Sequence, residues 1–265
     1  AKLSAFFGRL NLNFRNTFYL SSSLRREASS RFGSNNRWGN FPAASVGWRI
    51  SEEGFLRGNN LLSELKLRGS WGLTGNQEID PRAQYAIFEP RYATRSLFTF
   101  DQDNGTAYDI NGNNSGQLPS GFAKSQTANP DLKWETSETV NVGIDFGLFD
   151  NKVSGSVDYY IKETRDILTA TQPVATEGEG ANRFVNAGTV ENRGLEAVLG
   201  YEGKLNVGGK SLFFNISGNL ATLDNKVKEL PLHIQNQFGG NGDDQTIIGR
   251  NVNSVYGYVA DGLFQ

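Results

Sequence analysis

Cysteine and methionine are absent from this 265-residue chain, and histidine occurs once, as His233. Without cysteine there is no disulfide framework, no thiolate zinc site and no cysteine nucleophile. A Ser-His-Asp triad, a multi-histidine zinc site or a two-histidine iron site would have to use His233 or is excluded. Missing too is any apolar run near the length of a transmembrane helix, which needs about 18 residues or more. An excess of charge of either sign is also lacking: 26 Lys and Arg against 28 Asp and Glu leave a net charge of -2. That balance speaks against nucleic acid as a partner, since such domains carry a basic surplus. The missing methionine, even at position 1, leads to the expectation of a segment of a longer or processed protein. No secretory signal opens it, because Ala1-Lys2-Leu3-Ser4 runs straight into alternating sequence.

What the chain has in quantity is glycine (31), phenylalanine (18) and tyrosine (9) with only 7 prolines, a β-rich profile. Its main signal is period two. Phe6, Gly8, Leu10, Leu12 and Phe14 alternate with Phe7, Arg9, Asn11 and Asn13. Successive strand side chains point to opposite faces, so one face is greasy and the other wet. The turn Arg15-Asn16-Thr17 leads to a second such strand from Phe18. Others run over about Phe41–Ile50, Glu64–Leu73, Trp134–Phe149, Val153–Lys162, Gly194–Glu202 and Leu212–Leu220, and a ninth begins near Val255. Asp150-Asn151 reads as a two-residue turn. The fold class expected is all-β, an antiparallel up-and-down meander of about eight to nine strands. Long strands of this kind cross a membrane with only about 9–11 residues each.

Connection lengths alternate. Short turns follow the first and fifth strands, about eight residues follow the seventh, and about a dozen follow the third. Between them come about a dozen residues over 27–40, about sixty over 74–133, about twenty over 168–190 and nearly thirty over 226–254. A meander puts alternate loops at opposite ends, so one end is plain and the other elaborate, as in outer-membrane barrels. Phe14 and Phe18, Phe146 and Phe149, and Tyr201 and Phe213 flank the short turns and read as an interfacial girdle. The polar face reads as the wall of a wet lumen or the solvent side of a sheet. Lipid requires the sheet to close, and an unfinished last strand implies a larger whole.

Catalytic and metal chemistry find little support. Asp101, Asp103, Gly105 and Asp109 have the wrong spacing for a calcium loop, and no glutamate closes it. Gly178-x-Gly180 lacks the lysine and the strand-to-helix setting of a phosphate cradle. Asp145 and Asp158 fall near one another across a turn, with Lys152 and Arg165 expected nearby, and read as lumen-lining charges rather than a glycosidase pair. No catalytic residue, metal or cofactor is expected. Ligand contact falls to loop residues able to stack or hydrogen-bond. They are Asn76, Gln77, Tyr85, Tyr92 and Tyr108 in the longest loop, with Arg37 and Trp38 as a second option. Self-packing of the loops is the competing reading for each.

Specific strings carry a resemblance. Ser30-Arg31-Phe32-Gly33, Asn36-Arg37-Trp38-Gly39, Phe41-Pro42-Ala43 and Ser45-Val46-Gly47-Trp48-Arg49-Ile50-Ser51 resemble the SusC/RagA family of TonB-linked outer-membrane proteins. The run from Leu65 to Gln77, Asn129-Pro130-Asp131-Leu132-Lys133-Trp134-Glu135, and Gly143-Ile144-Asp145-Phe146-Gly147 are similar to its later blocks. So are Asn192-Arg193-Gly194-Leu195-Glu196 and the run from Tyr256 to Gln265. Glu27-Ala28 departs from the Asp-Gly usual there, a change expected to affect only a loop turn. The resemblance implies a barrel of about 22 strands with an N-terminal plug. Residues 1–265 would form part of its C-terminal half, without the plug, signal peptide or remaining strands. It implies a TonB-dependent receptor of the Gram-negative outer membrane that imports glycans or peptides. A SusD-like surface lipoprotein and the TonB complex would be partners, and TonB contact would lie outside this segment. A passive porin and a surface-exposed β-sheet binding module or adhesin are the alternatives from the residues alone; an enzyme is not expected.

Overall fold

The computed structural model describes residues 1–59, 61–91, 121–171, 182–231, 234 and 247–254. Its main sheet is built from β1 (Leu3–Phe14), β2 (Phe18–Ser29), β3 (Trp38–Arg49), β4 (Leu62–Asn76), β7 (Glu135–Leu148), β8 (Val153–Arg165), β11 (Thr189–Val207) and β12 (Lys210–Ala221). They neighbour one another in that order, every pair antiparallel. A short β13 (Asp224–Glu229) pairs with the far half of β11, beyond the reach of β12. β12 and β13 are thus one returning strand broken at Thr222. There the Thr222 amide bonds the Leu195 carbonyl, and the Thr222 carbonyl occupies the space a Cβ on Gly194 would need. The eight complete strands expected from period two are present and mostly longer than their sequence pattern. The strand expected near Val255 lies outside the described residues.

Register turns the alternation into two continuous surfaces. Leu12, Leu20, Val46, Gly69, Val142, Tyr159, Leu195 and their even-step neighbours share one face across the sheet. Among the described residues nothing covers that face: Phe6, Val142 and Ile216 are 65%, 58% and 64% exposed. Water would not tolerate so wide an apolar surface, whereas lipid requires it. Aromatic pairs bound it, Phe6 stacking on Trp38 at one end and Phe18 on Trp48 at the other. The two tryptophans stand ten residue steps apart along β3. At about 3.3 Å each and a tilt of about 40° they span about 25 Å, the height of a lipid-facing belt. Beyond the belt on β7, β8 and β11, the same face turns ionic. Arg165 pairs with Glu138 at 3.0 Å, and Lys228 bridges Glu163 and Glu191 at 3.0 and 2.9 Å.

The plain end departs in detail from its sequence reading. Arg15 and Asn16 adopt φ of 54° and 56°, closing β1 onto β2 through a Thr17 amide to Phe14 carbonyl bond. The turn at 150 is wider than two residues: Phe149, Asp150 and Asn151 all take positive φ, and β8 resumes at Val153. After the seventh expected strand the connection is shorter than read. Pairing continues to Val207 and Lys210, and Gly208-Gly209, both at positive φ, make the turn. Phe213 faces the wet side against Lys204; its neighbour Phe214 packs on Tyr201 and belongs to the girdle. Glu27 and Ala28 lie inside β2 and are buried, Glu27 ion-paired to Arg25 at 2.8 Å, so that departure falls in a strand rather than a turn. Four short strands at the elaborate end form a second sheet: β5 (Ile87–Arg91), β6 (Gly121–Thr127), β10 (Asn182–Asn186) and β9 (Leu168–Thr171).

Candidate functional site

At the elaborate end the wall splits. Pairing of β3 with β4 stops at Ala43 and Gly72, yet β3 continues to Trp38 alongside β2, and β4 continues to Asn76 alongside β7. A hydrophobic core fills the opening. Phe32, Phe41, Ile79, Ala83, Leu132 and Trp134 are buried together, with Leu73, Leu168 and Phe184 packed against them. Trp134 holds the centre, its ring 5.2 Å from Phe32 and 5.3 Å from Phe41, while its indole N–H donates to the Arg37 carbonyl at 3.1 Å. Gly33 is required here, because the Pro130 carbonyl sits where its Cβ would be. Burying several large side chains gives these loops a core of their own, at about 1.5–3 kcal/mol each.

Polar side chains tie the loops to one another. Gln84 donates to the Ser30 carbonyl at 2.9 Å, and Gln126 donates to the carbonyls of both Arg82 and Tyr85 at 2.8 Å. Asn129 donates to the Phe184 carbonyl at 2.8 Å, and Asn36 to that of Asp131 at 2.9 Å. Asn186 reaches the Lys133 carbonyl at 2.7 Å and accepts from the Lys133 amide at 2.9 Å. Gln84, Gln126 and Asn129 are buried, and each satisfies backbone groups that loops would otherwise leave unpaired. Asp80 closes its own turn: the Arg82 amide donates to it at 2.7 Å, and that bond, joined by the Arg82 side chain, holds its carboxyl below the usual range. The loops therefore form a braced crown rather than independent tethers.

Several sequence-selected ligand candidates sit on this crown. Asn76 ends β4, donates to Glu135 at 3.0 Å and accepts from the Glu78 amide at 2.9 Å. The Gln77 carbonyl accepts from Arg31 at 2.8 Å. Tyr85 keeps an exposed ring while its carbonyl is held by Gln126. Arg37 is exposed above Trp134. Trp38 instead lies on the apolar face, stacked on Phe6 with the Arg26 guanidinium 5.0 Å from its ring. Tyr92, Tyr108, the aspartate-rich loop at 101–109, the glycines at 178 and 180 and His233 lie outside the described residues.

Below the crown the wet face forms a wall of polar groups. Asp145 and Asp158 are not directly opposed; Asp145 faces Ser156, and Gly143 faces Asp158. Their cation is neither Lys152 nor Arg165 but Arg68. It grips Asp145 with two bonds of 2.7 and 2.8 Å and reaches Asp158 at 3.0 Å. The reach crosses a whole strand and passes over Gly143, whose missing side chain leaves the space that Asp158 and Arg68 occupy. A second cross-strand set centres on Tyr19, with Lys66 at 5.0 Å and Arg49 at 5.7 Å from its ring. Tyr19, Lys66 and Arg68 line a concavity of about 440 Å³ with Asn11, Ser45 and Asn141. Such a wall offers donors, acceptors and both charges, as a surface contacting hydroxyl- or amide-rich solutes needs. Among the described residues no group of three or more His, Asp or Glu side chains is placed to hold a metal, and no helix is long and apolar enough to cross a membrane.

The comparisons with known proteins agree with this geometry. The family described as TonB dependent receptor-like, beta-barrel matches residues 1–259. TonB-dependent receptor P39 of Formosa agariphila is 33% identical over 263 residues, 99% of this chain and 22% of the relative. TonB-dependent receptor SusC of Bacteroides thetaiotaomicron is 37% identical over 195 residues, 73% of this chain and 18% of the relative. The RagAB peptide transporter superposes with a TM-score of 0.69 at 27% identity, over 88% of this chain and 23% of that one. The chain thus spans about a fifth of the length of the curated relatives it matches.

Proposed function

From the premise that this chain belongs to the TonB-dependent receptor β-barrel family, whose members reside in the outer membrane, we propose that it is a wall and loop segment of an energised nutrient importer. The single observation that carries the reading is the junction of three features in one piece. An uncovered apolar face of membrane height backs a polar wall, and a braced crown stands at one end. A passive pore needs the two faces but has no use for loops stiffened by a core. A soluble binding module would cover the apolar face.

In this reading the crown receives the solute and the wet wall conducts it. Arg37, Asn76, Gln77 and Tyr85 present hydrogen-bonding groups and one aromatic ring from fixed positions, with Tyr92 and Tyr108 as further candidates on the longest loop. Trp38 serves the membrane interface instead. The solute is a glycan or a peptide: a SusC and a RagAB peptide transporter stand at comparable similarity. A SusD-like lipoprotein above the crown and the TonB complex on the opposite side would complete the machine. No catalytic role falls to this segment.

Uptake by cells carrying the full-length protein tests the proposal. Labelled oligosaccharide or oligopeptide should accumulate only when the energising complex is present. Equal uptake without that complex would overturn the reading in favour of a passive pore.

A further inference from the structure

The apolar face is uncovered but not smooth. At its plain-end rim Phe14, Phe18 and Trp48 form an aromatic ledge, with Phe18 and Trp48 stacked at 6.1 Å and the Trp48 indole N–H held by Glu53 at 3.0 Å. Next to the ledge stands Gly69, flanked in register by Val46 and Val142. Its missing side chain leaves an open groove of about 620 Å³, lined by Leu12, Phe14, Leu20, Val46, Leu67 and Gly69 among others. Over the ledge lies Arg15, its guanidinium carbon 5.1 Å from the Phe14 ring centroid. Among the described residues Arg15 has no carboxylate partner. It is therefore a cation held at a fixed height by an aromatic ring, at the mouth of an apolar groove.

We propose that this groove is a site for an anionic phospholipid: one acyl chain lies against Gly69, and Arg15 binds a headgroup phosphate whose charge no choline cation cancels. The short turns of such barrels face the periplasm, so this rim sits at the headgroup level of the inner leaflet. A guanidinium matches phosphate geometry with paired donors, and seating it on Phe14 removes part of the ordering cost of binding. A second copy of the chain fits less well. A two-fold contact at this groove would bring two Arg15 side chains toward each other with nothing between them.

The inference rests on the reading of the apolar face as lipid-facing, and the test separates the two. The full-length protein in detergent micelles is mixed with phosphatidylglycerol or phosphatidylcholine and weighed by native mass spectrometry. One phosphatidylglycerol should survive activation that strips phosphatidylcholine. Arg15→Asn, chosen because asparagine tolerates the left-handed φ of 54°, should lower that retention roughly tenfold. Gly69→Phe should abolish it by filling the groove; the nearest atom to the new Cβ is Val46 Cγ2 at 3.6 Å, an ordinary contact. Equal retention of the two lipids, undiminished retention by either variant, or a dimer lost in Gly69→Phe with lipid unchanged would overturn the proposal. Partition of wild type into the detergent phase in a cloud-point extraction keeps the membrane reading standing whatever the lipid result. An aqueous wild type would overturn both.

Discussion

Removing Phe32 should open the crown and leave the wall intact. Phe32 is fully buried, 5.2 Å from the Trp134 ring, where loops from three parts of the sequence share a core. A buried Phe→Ala change costs about 3–5 kcal/mol through lost transfer energy and the cavity left behind. The crown stands outside the lipid belt, so the hydrophobic effect acts there at full strength, as it does not between lipid-exposed strands. Its core contains six buried apolar residues, and losing one of its three aromatic rings removes most of what a local unit of that size holds in reserve. The open population should rise by roughly two to four orders of magnitude. Trypsin added to intact cells reads this directly: Arg31, Arg82 and Lys133 flank the core, and although the Arg82 and Lys133 side chains are exposed, cleavage needs their backbone released from the fold. The wild type should resist, and Phe32→Ala should be cut at these sites while the barrel still shifts on a gel after heating. Phe55→Ala, at a 74% exposed site in the β3–β4 connection, is the control and should change nothing. Trypsin resistance equal to wild type in Phe32→Ala would refute a crown stabilised by its own core.

Val142→Arg, in the middle of the apolar face, should weaken folding into lipid vesicles by about 2–4 kcal/mol, whereas Asn141→Arg on the opposite face should cost little, both read by denaturant titration. Gly143→Val should separate Arg68 from Asp158 and destabilise the barrel by about 1–3 kcal/mol, and pairing it with Asp158→Asn should recover part of the loss in the same titration. The depressed carboxyl of Asp80 makes its turn pH-dependent: stabilisation is present above the unfolded pKa and is lost as pH falls through the lower folded value. Hydrogen-exchange protection of the crown, taken relative to the intrinsic amide rate at each pH, should therefore fall at acid pH in wild type, and Asp80→Asn should flatten that dependence.

The wall was legible because a strand with lipid on one side and water on the other writes its geometry as strict alternation. Val140 to Leu148 carries it without a break, and Phe6 to Phe14 with Phe7 alone out of phase. Turn positions such as Arg15-Asn16 were readable for the same local reason. The crown was not. Phe32, Ile79, Leu132 and Trp134 are apolar residues in irregular segments, with no period to show that they meet, and β5, β6, β9 and β10 are too short to display one. A fully buried phenylalanine in an eight-residue connection is the signal that was available, since such loops are ordinarily polar. Arg68 escaped for a different reason. Its link to Asp158 depends on the register of two strand pairs at once and on the absence of a side chain at Gly143, neither of which alternation specifies.

The split between β3 and β4 also dictates an order of assembly. The Arg37–Trp134 and Asn36–Asp131 bonds join residues 97 and 95 positions apart. Contacts so distant in sequence form only after the intervening chain has found its place. The connections that supply Phe32, Ile79 and Leu132 therefore have no core to join until β4 and β7 are zipped, and the crown is expected to close after the wall. The crown acts as a late-closing latch on the finished wall: its core is made of pieces that have nothing to pack against until the strands have brought them together.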